Sequence, residues 1–257
     1  MYTRFVLRSV LILAAMLGLT TPALAGGWAV VTLDELPGQV FAGEPLSVGF
    51  KIRQHGRTPL RSNSVMVRAE QVEGGAVVET RAQGHGPVGH YMATLVFPHA
   101  GLWNWTIASG LLPDQQPMPA LTVLAYAPSL RPNTPGMVSL AMIMLTEADR
   151  ILVANDRARG GMPAPVAKPA ELGEALFLAK GCVVCHTHNA VRDERRAFAD
   201  FSIGPNLSYL MKNDPAFLHR WLKDPSAIRP GTAMPTLGLS DVEIDSLVAF
   251  LLDTAGQ

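Results

Sequence analysis

The two cysteines of the chain stand in one short motif, Cys182-Val183-Val184-Cys185-His186, which constrains the fold more than any other feature. Two thiols at this spacing can add to the two vinyl groups of a porphyrin, while the next residue places an imidazole on the iron. Zinc half-sites and redox dithiols use the same spacing. A zinc site normally takes further Cys or His ligands, and a redox dithiol usually follows a strand of a βαβ unit; neither context is present. The motif therefore predicts one haem c, attached covalently at Cys182 and Cys185, with His186 as an axial ligand.

A low-spin electron-transfer iron needs a second axial ligand on the opposite haem face, and a thioether there raises the reduction potential. Met234 is the leading candidate; it lies 48 residues after His186 in an extended segment flanked by prolines, and its preference over the rivals comes from the family resemblance given below. His219 and Met211 are rival ligands. His188 follows His186 by only two residues, so it cannot reach the opposite face.

From about Ala170 to Phe250 the chain resembles a class I c-type cytochrome, a small helical domain that binds one haem. The matching positions lie on both sides of the attachment motif: Gly173 and Phe177 in the first helix, then Gly204, Pro205 and Leu207, then Met234-Pro235, and finally Leu247 and Phe250 in the last helix.

This resemblance implies thioether bonds to both cysteines and axial ligation by His186 and Met234. It also implies that the Pro205 carbonyl accepts a hydrogen bond from the His186 ring, which would fix the ring orientation. Trp221 resembles the family's tryptophan near a haem propionate, although ordinary core packing is an equal alternative. The polar insert from Asn189 to Asp200 departs from the family pattern.

Capping residues locate the helices of this region. Asp214-Pro215 predicts a helix start, since a capping carboxylate is followed by proline at the first helical position. Ser240 and Glu243 form a capping box for the last helix. The first helix carries Leu172, Leu176 and Ala179 on one face and ends at Gly181.

The formal net charge of the 257 residues is zero, so nucleic acid is not an expected partner, because its binding typically needs a strongly basic face. Apolar residues make up 48% and charged residues 16%, which favours a compact protein over disorder. From Ala170 onward there are eight Lys/Arg and eleven Asp/Glu. This mildly acidic balance predicts weak, salt-sensitive docking with redox partners.

Residues 1–25 are predicted to be an export signal. Basic residues precede the apolar core Val10–Leu19, and Ala23-Leu24-Ala25 offers a cleavage site. The alternative is an uncleaved membrane anchor, because Phe5 to Leu24 has about the length of a short span. Either interpretation places the protein in the periplasm or on the outer face of the inner membrane, with membrane contact through the N-terminus in the second case.

Residues 26–125 are predicted to form an immunoglobulin-like β-sandwich. Apolar and polar residues alternate with period two, as in the series Leu46, Val48, Phe50 and Ile52. Breakers such as Pro37-Gly38 and Gly74-Gly75 separate six or seven short strands. The segment from Gly89 to Gly101-Leu102-Trp103 is similar to the last hairpin of small periplasmic domains of the YtkA or FixH kind.

Four histidines lie in this region: His55, His85, His90 and His99. With Met66 and Met92 they offer the imidazole and thioether ligands that copper prefers. The alternative is that they are polar residues at turns and strand ends, because their spacing matches no ligand pattern.

Residues 126–169 are predicted to be a proline-rich junction that contains one amphipathic helix, from Met137 to Leu152. Its methionine-rich face either packs within the chain or docks on another subunit. Burial of Met144 would distinguish the two.

The predicted fold class is therefore multidomain, all-β plus all-α, with a monohaem cytochrome c fold in residues 170–257. With both axial positions filled, the iron has no open site for a substrate, so the expected activity is single-electron transfer between redox partners, including a membrane respiratory or photosynthetic complex. The β-sandwich would serve as a docking module. The alternatives are an accessory or assembly subunit of a membrane redox complex with a metal-binding sandwich, and an enzyme in which Met234 dissociates.

Overall fold

The structure is a computed structural model that describes residues 27–125, 168–191, 203–209 and 214–253. The described strands all lie in the first range and the described helices in the other three. This arrangement confirms the predicted fold class, an all-β region followed by an all-α region. The predicted export signal, the predicted junction helix with Met144, and residues 192–200 of the polar insert lie outside the described residues.

The β region consists of short strands separated by turns. In chain order they are β1 (Ala29–Leu33), β2 (Val40–Phe41), β3 (Pro45–Gln54), β4 (Thr58–Pro59), β5 (Met66–Gln71), β6 (Val77–Arg81), β7 (Gln83–Gly84), β8 (His90–Val96), β9 (Gly101–Ala108), β10 (Gln116–Pro117) and β11 (Leu121–Leu124). Gly74 and Gly75 join β5 to β6 with φ angles of 112° and 66°, which glycine adopts without steric cost.

Two sheets enclose one core. The first has the order β1-β3-β8-β7, with β4 paired to β3, and the second has the order β2-β11-β9-β5-β6, with β10 paired to β9. All pairs are antiparallel except β2 with β11. In β3 the alternating residues Val48, Phe50 and Ile52 point inward and are buried, as predicted. Trp103 and Ile107 of β9 are also buried. The large aromatic rings fill the space between the sheets.

The helical region contains α1 (Pro169–Ala179), α2 (Pro215–Lys223), α3 (Pro225–Ile228) and α4 (Asp241–Asp253), with short 3-10 turns at Cys182–Val184 and Leu207–Tyr209. The Asp214 carboxylate accepts a hydrogen bond from the Ala216 amide at the start of α2, and the Ser240 amide donates to Glu243 before α4. Both predicted caps are therefore confirmed. Among the helices of the described ranges, none combines the length and apolar character that crossing a membrane requires.

Helices α1 and α4 cross at a glycine. A Cβ atom at Gly173 would lie 2.6 Å from Cβ of Phe250 and would clash with the Ser246 carbonyl oxygen, so only glycine lets the helices approach this closely. One turn later, the Phe177 and Phe250 rings lie 5.7 Å apart. This crossing supports one wall of the candidate site.

The last turn of α1 packs against the sandwich. The sequence groups Ala179 with Leu172 and Leu176 on one helix face; in the structure Leu176 packs in the helical core, whereas Ala179 packs in the core of the sandwich. Leu36 contacts both cores. The two regions therefore meet in a packed apolar boundary.

Candidate functional site

A cavity of about 590 Å³ opens in the helical region. Its walls contain all six residues that the sequence analysis singled out: Cys182, Cys185, His186, Pro205, Trp221 and Met234. Apolar side chains supply most of the remaining wall, among them Phe177, Leu218, Leu222, Leu237, Leu247 and Leu251. The volume lies in the usual range of cofactor pockets, about 300–1,000 Å³.

The attachment motif is held in one tight turn. Gly181 leaves α1 with a φ angle of 73°, and the chain then enters the 3-10 turn at Cys182–Val184. The amides of Cys185 and His186 both donate to the Cys182 carbonyl, at 3.1 and 2.9 Å. This turn keeps the two cysteines and the histidine on the wall of one cavity.

No disulfide joins the two cysteines. Burial raises the pKa of Cys182 to about 12, with a further contribution from the neighbouring Cys185, and burial raises the pKa of Cys185 to about 11. Redox dithiols instead depend on a lowered thiol pKa. These shifts disfavour the redox interpretation of the motif.

The His186 ring is fixed by the segment that follows the insert. Its Nδ1 atom donates to the Pro205 carbonyl at 2.9 Å, as the resemblance implied. Gly204 lies directly under the ring, and a Cβ atom there would come within 2.6 Å of Nδ1. Burial lowers the pKa of His186, against the opposing effect of the bond to Pro205. The ring is therefore neutral near pH 7, and its Nε2 atom keeps a lone pair for a metal.

Met234 lies half-buried on the wall of the same cavity. The Trp221 indole Nε1 donates to its sulfur at 3.0 Å, and the Met234 amide donates to the Thr232 hydroxyl at 3.3 Å. Trp221 also stacks on Phe217, with ring centroids 6.0 Å apart. The sequence predicts Trp221 beside a propionate or in the core; in the structure its indole N–H contacts the methionine sulfur.

The rival ligands lie elsewhere. His188 is fully buried between aromatic rings, 4.5 Å from Phe250 and 6.0 Å from Phe177 by centroid distance. The Nε2 atom of His219 lies 3.6 Å from the Asp245 carboxylate, on a different face of α2 from the cavity-lining leucines. Neither histidine lines the cavity, and Met211 lies outside the described residues.

The sandwich histidines have separate surroundings. The His90 ring contacts Asp34 at 2.6 Å, its centroid lies 5.8 Å from that of His85, and His55 packs on Trp28. Within residues 27–125 and the described helical ranges, no three side chains among His, Cys, Asp and Glu come together as a metal-binding group.

Two residues of the β region line the cavity without any sequence signal that predicted it. Trp28 and Val30 belong to the β region yet line the same cavity as His186 and Met234. No local sequence signal marks them, because their role follows from how the two regions pack.

Comparison with known proteins assigns a family to the helical region. The cytochrome c family profile matches residues 170–255. These residues form a class I c-type cytochrome domain. The resemblance drawn from the short segments around the motif is thereby confirmed, and a cytochrome c domain implies haem, iron and electron transport.

Two curated relatives each match this chain over 97 residues. "Cytochrome c oxidase subunit 2" of Bacillus sp. (strain PS3) is 34% identical, with 34% of this chain and 26% of the relative covered. The protein of the same name from Alkalihalophilus pseudofirmus (strain ATCC BAA-2126 / JCM 17055 / OF4) is 27% identical, with 35% and 28% covered. The chain therefore spans about a quarter of the length of the curated relatives it matches.

Among solved structures, the Lin-41 filamin domain matches with a TM-score of 0.30 and 11% sequence identity. The match covers 37% of this chain and 91% of that chain.

Proposed function

We propose that the chain is an exported monohaem cytochrome c that passes single electrons between redox partners. One haem c would be bound by thioether links to Cys182 and Cys185, with His186 and Met234 as the axial ligands. The observation that carries this proposal is that one cavity has both thiols, an oriented neutral imidazole and a thioether on its walls.

The residues present fit a haem in three respects. The cavity is large and mainly apolar, as a porphyrin ring requires. The two cysteines are not joined in a disulfide, and both line the cavity, where their sulfurs could add to vinyl groups. Gly204 gives the His186 ring the space it occupies, since any side chain at that position would displace the imidazole. When bound, the haem supplies a reversible one-electron centre.

The protein's own groups prepare the site. The Pro205 carbonyl orients the imidazole and increases its basicity, in the way that outer-shell partners tune metal ligands. The Trp221 N–H holds the Met234 sulfur at the cavity wall. Buried leucines exclude water, which favours the less charged reduced state and so raises the reduction potential. With two protein ligands, catalysis at the iron is not expected.

The proposed partners are redox proteins, and a membrane respiratory or photosynthetic complex is the proposed setting. The similarity to proteins named cytochrome c oxidase subunit 2 supports a role within an oxidoreductase complex. Export of the chain to the periplasm or the outer face of the inner membrane would follow from the signal or anchor predicted in residues 1–25. The alternative with a metal-binding sandwich gains no support from the described histidines.

The axial ligation is tested with Met234→Leu in the full-length haem-loaded protein. The matched control is Met92→Leu, which removes the sulfur of a half-buried methionine on β8, outside the cavity. We expect the reduced wild-type protein and the control to bind no carbon monoxide at neutral pH, and the Met234 variant to bind it and change its spectrum. A Met234→Leu protein with an unchanged reduced spectrum would refute the proposed ligation.

A further inference from the structure

Strand β1 is buried on both faces, although it is the edge strand of its sheet. Ala29, Val31 and Leu33 point into the sandwich core, as alternation requires. Val30 and Thr32 lie on the opposite face, which in an isolated sandwich would be in water, yet they are only 3% and 7% exposed. Another part of the chain must cover this outer face.

The covering part is the end of α1 and the start of the haem-attachment turn. Gly181 lies so close to β1 that a Cβ atom there would clash with Val30 and come within 2.8 Å of the Val31 carbonyl. The edge of β1 that pairs with no strand of its sheet is covered as well. The buried Gln116 side chain accepts a hydrogen bond from the Val31 amide and donates one to the Val31 carbonyl, both at 2.8 Å. The sandwich is thus fixed against the residue that precedes Cys182.

A second contact joins the sandwich to the loop of Met234. A Cβ atom at Gly56, in the turn after β3, would lie 2.6 Å from Cγ of Pro235. The guanidinium of the next residue, Arg57, donates to the Thr232 carbonyl. The turn that contains these residues therefore touches the chain on both sides of the proposed sulfur ligand.

The two contacts place sandwich residues on the wall of the haem-binding cavity itself. Val30 and Trp28 line it together with Cys182 and Met234, and the Trp28 ring is supported by His55 at a centroid distance of 5.2 Å. We propose that the β-sandwich completes the haem site: Trp28 and Val30 contact the haem, and the Gly56-Arg57 turn restrains the Met234 loop. This inference rests on the proposed haem function, and it gives the sandwich a role in the site beyond docking.

Two physical consequences follow. Trp28 removes water from one side of the cavity, and a lower local dielectric destabilises the more highly charged oxidised iron. Arg57 ties down the backbone two residues before Met234, which opposes dissociation of the ligand loop. The sandwich should therefore raise the reduction potential and slow the entry of foreign ligands.

The contact is tested directly by proton NMR of the reduced full-length holoprotein, which is diamagnetic when the iron is low-spin. We expect nuclear Overhauser effects between the Trp28 indole protons and haem protons. The indole signals of Trp28 are identified as those that are absent from the spectrum of Trp28→Phe. Absence of these effects, with the indole assigned and the haem spectrum intact, would overturn the inference. The proposed function would survive that result, because it depends only on the haem links and the axial ligands.

The consequences are tested in variants that retain the wild-type reduced spectrum. Trp28→Ala should shift the reduction potential to lower values, and Arg57→Met should accelerate imidazole binding to the oxidised iron. The matched control, Leu102→Ala, removes a half-exposed side chain from the second sheet and should change neither value. If Trp28→Ala had the reduction potential of the control and Arg57→Met bound imidazole at the rate of the control, the sandwich would not be part of the site. If the wild-type chain itself shows no Met-ligated spectrum, the proposed function fails instead.

Discussion

Replacement of Lys180 by methionine tests the packed boundary between the two regions. The ammonium group is nearly buried, with the side chain 10% exposed, and donates to the carbonyls of Leu33 at 3.0 Å and Asp34 at 3.2 Å. It also pairs with the Glu243 carboxylate at 2.8 Å. Lys180→Met keeps the length of the side chain but leaves a carboxylate and two carbonyl oxygens without this donor.

Breaking a buried ion pair by removing one partner costs about 3–5 kcal/mol. Glu243 is 25% exposed and can be partly rehydrated, so we expect a loss at the lower end, about 3 kcal/mol. Guanidinium unfolding of the holoprotein, followed by haem absorbance and tryptophan fluorescence, measures this loss of stability. In the variant the two signals should also show different unfolding midpoints, because Lys180 links the helical region to the sandwich.

The matched control is Lys223→Met. Lys223 pairs with Asp241 at a similar distance, 2.7 Å, but both side chains are exposed, and such pairs contribute little to stability. If Lys180→Met loses no more stability than Lys223→Met, the buried pair does not hold the two regions together and the argument from burial is refuted.

Three further predictions concern the helical region. Gly173→Ala should destabilise the holoprotein by about 2–3 kcal/mol in guanidinium unfolding, because the added methyl group forces the crossing helices apart. The control Gly84→Ala should have no such effect, because nothing lies within 4 Å of a Cβ atom at that position. Equal losses of stability in the two variants would contradict the close crossing at Gly173. Gly204→Ala should displace the His186 ring and alter the haem spectrum, and an unchanged spectrum would contradict the assigned packing. Burial opposes ionisation of Glu243, but hydrogen bonds from Lys180 and Ser240 outweigh burial and lower the pKa of this carboxyl below the ordinary 4.5. The stability that ionised Glu243 contributes is therefore complete above pH 4.5 and is lost as the pH falls through the lowered pKa. Glu243→Gln should flatten this acid-side loss in unfolding experiments between neutral pH and about pH 3, and an unaltered acid profile would exclude Glu243 as its source.

Local signals were enough to predict the separate elements. The alternation that includes Phe50 and Ile52 gave the strand faces, because side chains of a strand point to opposite sides. The Asp214 and Ser240 caps located two helix starts, since the orphan amides of a helix need nearby acceptors. Such features depend on neighbours within a few residues, so the printed sequence contains all that is needed.

Contacts between distant residues were not predictable in this way. Lys180 and Leu33 are 147 positions apart, and nothing near either residue indicates the other. Strand β1 is an edge strand, and only the packing of the helical region against it explains why Val30 is buried on its outer face. For the same reason, Met234 was chosen from several candidates by family resemblance, while the contact of Trp221 with its sulfur required the structure.

The most direct test of the central claim is the intact mass of the mature protein after denaturation and acid-solvent extraction. We predict a chain that retains one haem through Cys182 and Cys185, and a Cys182→Ser, Cys185→Ser variant from which all haem is extracted. A denatured wild-type chain with the mass of the polypeptide alone would contradict the account.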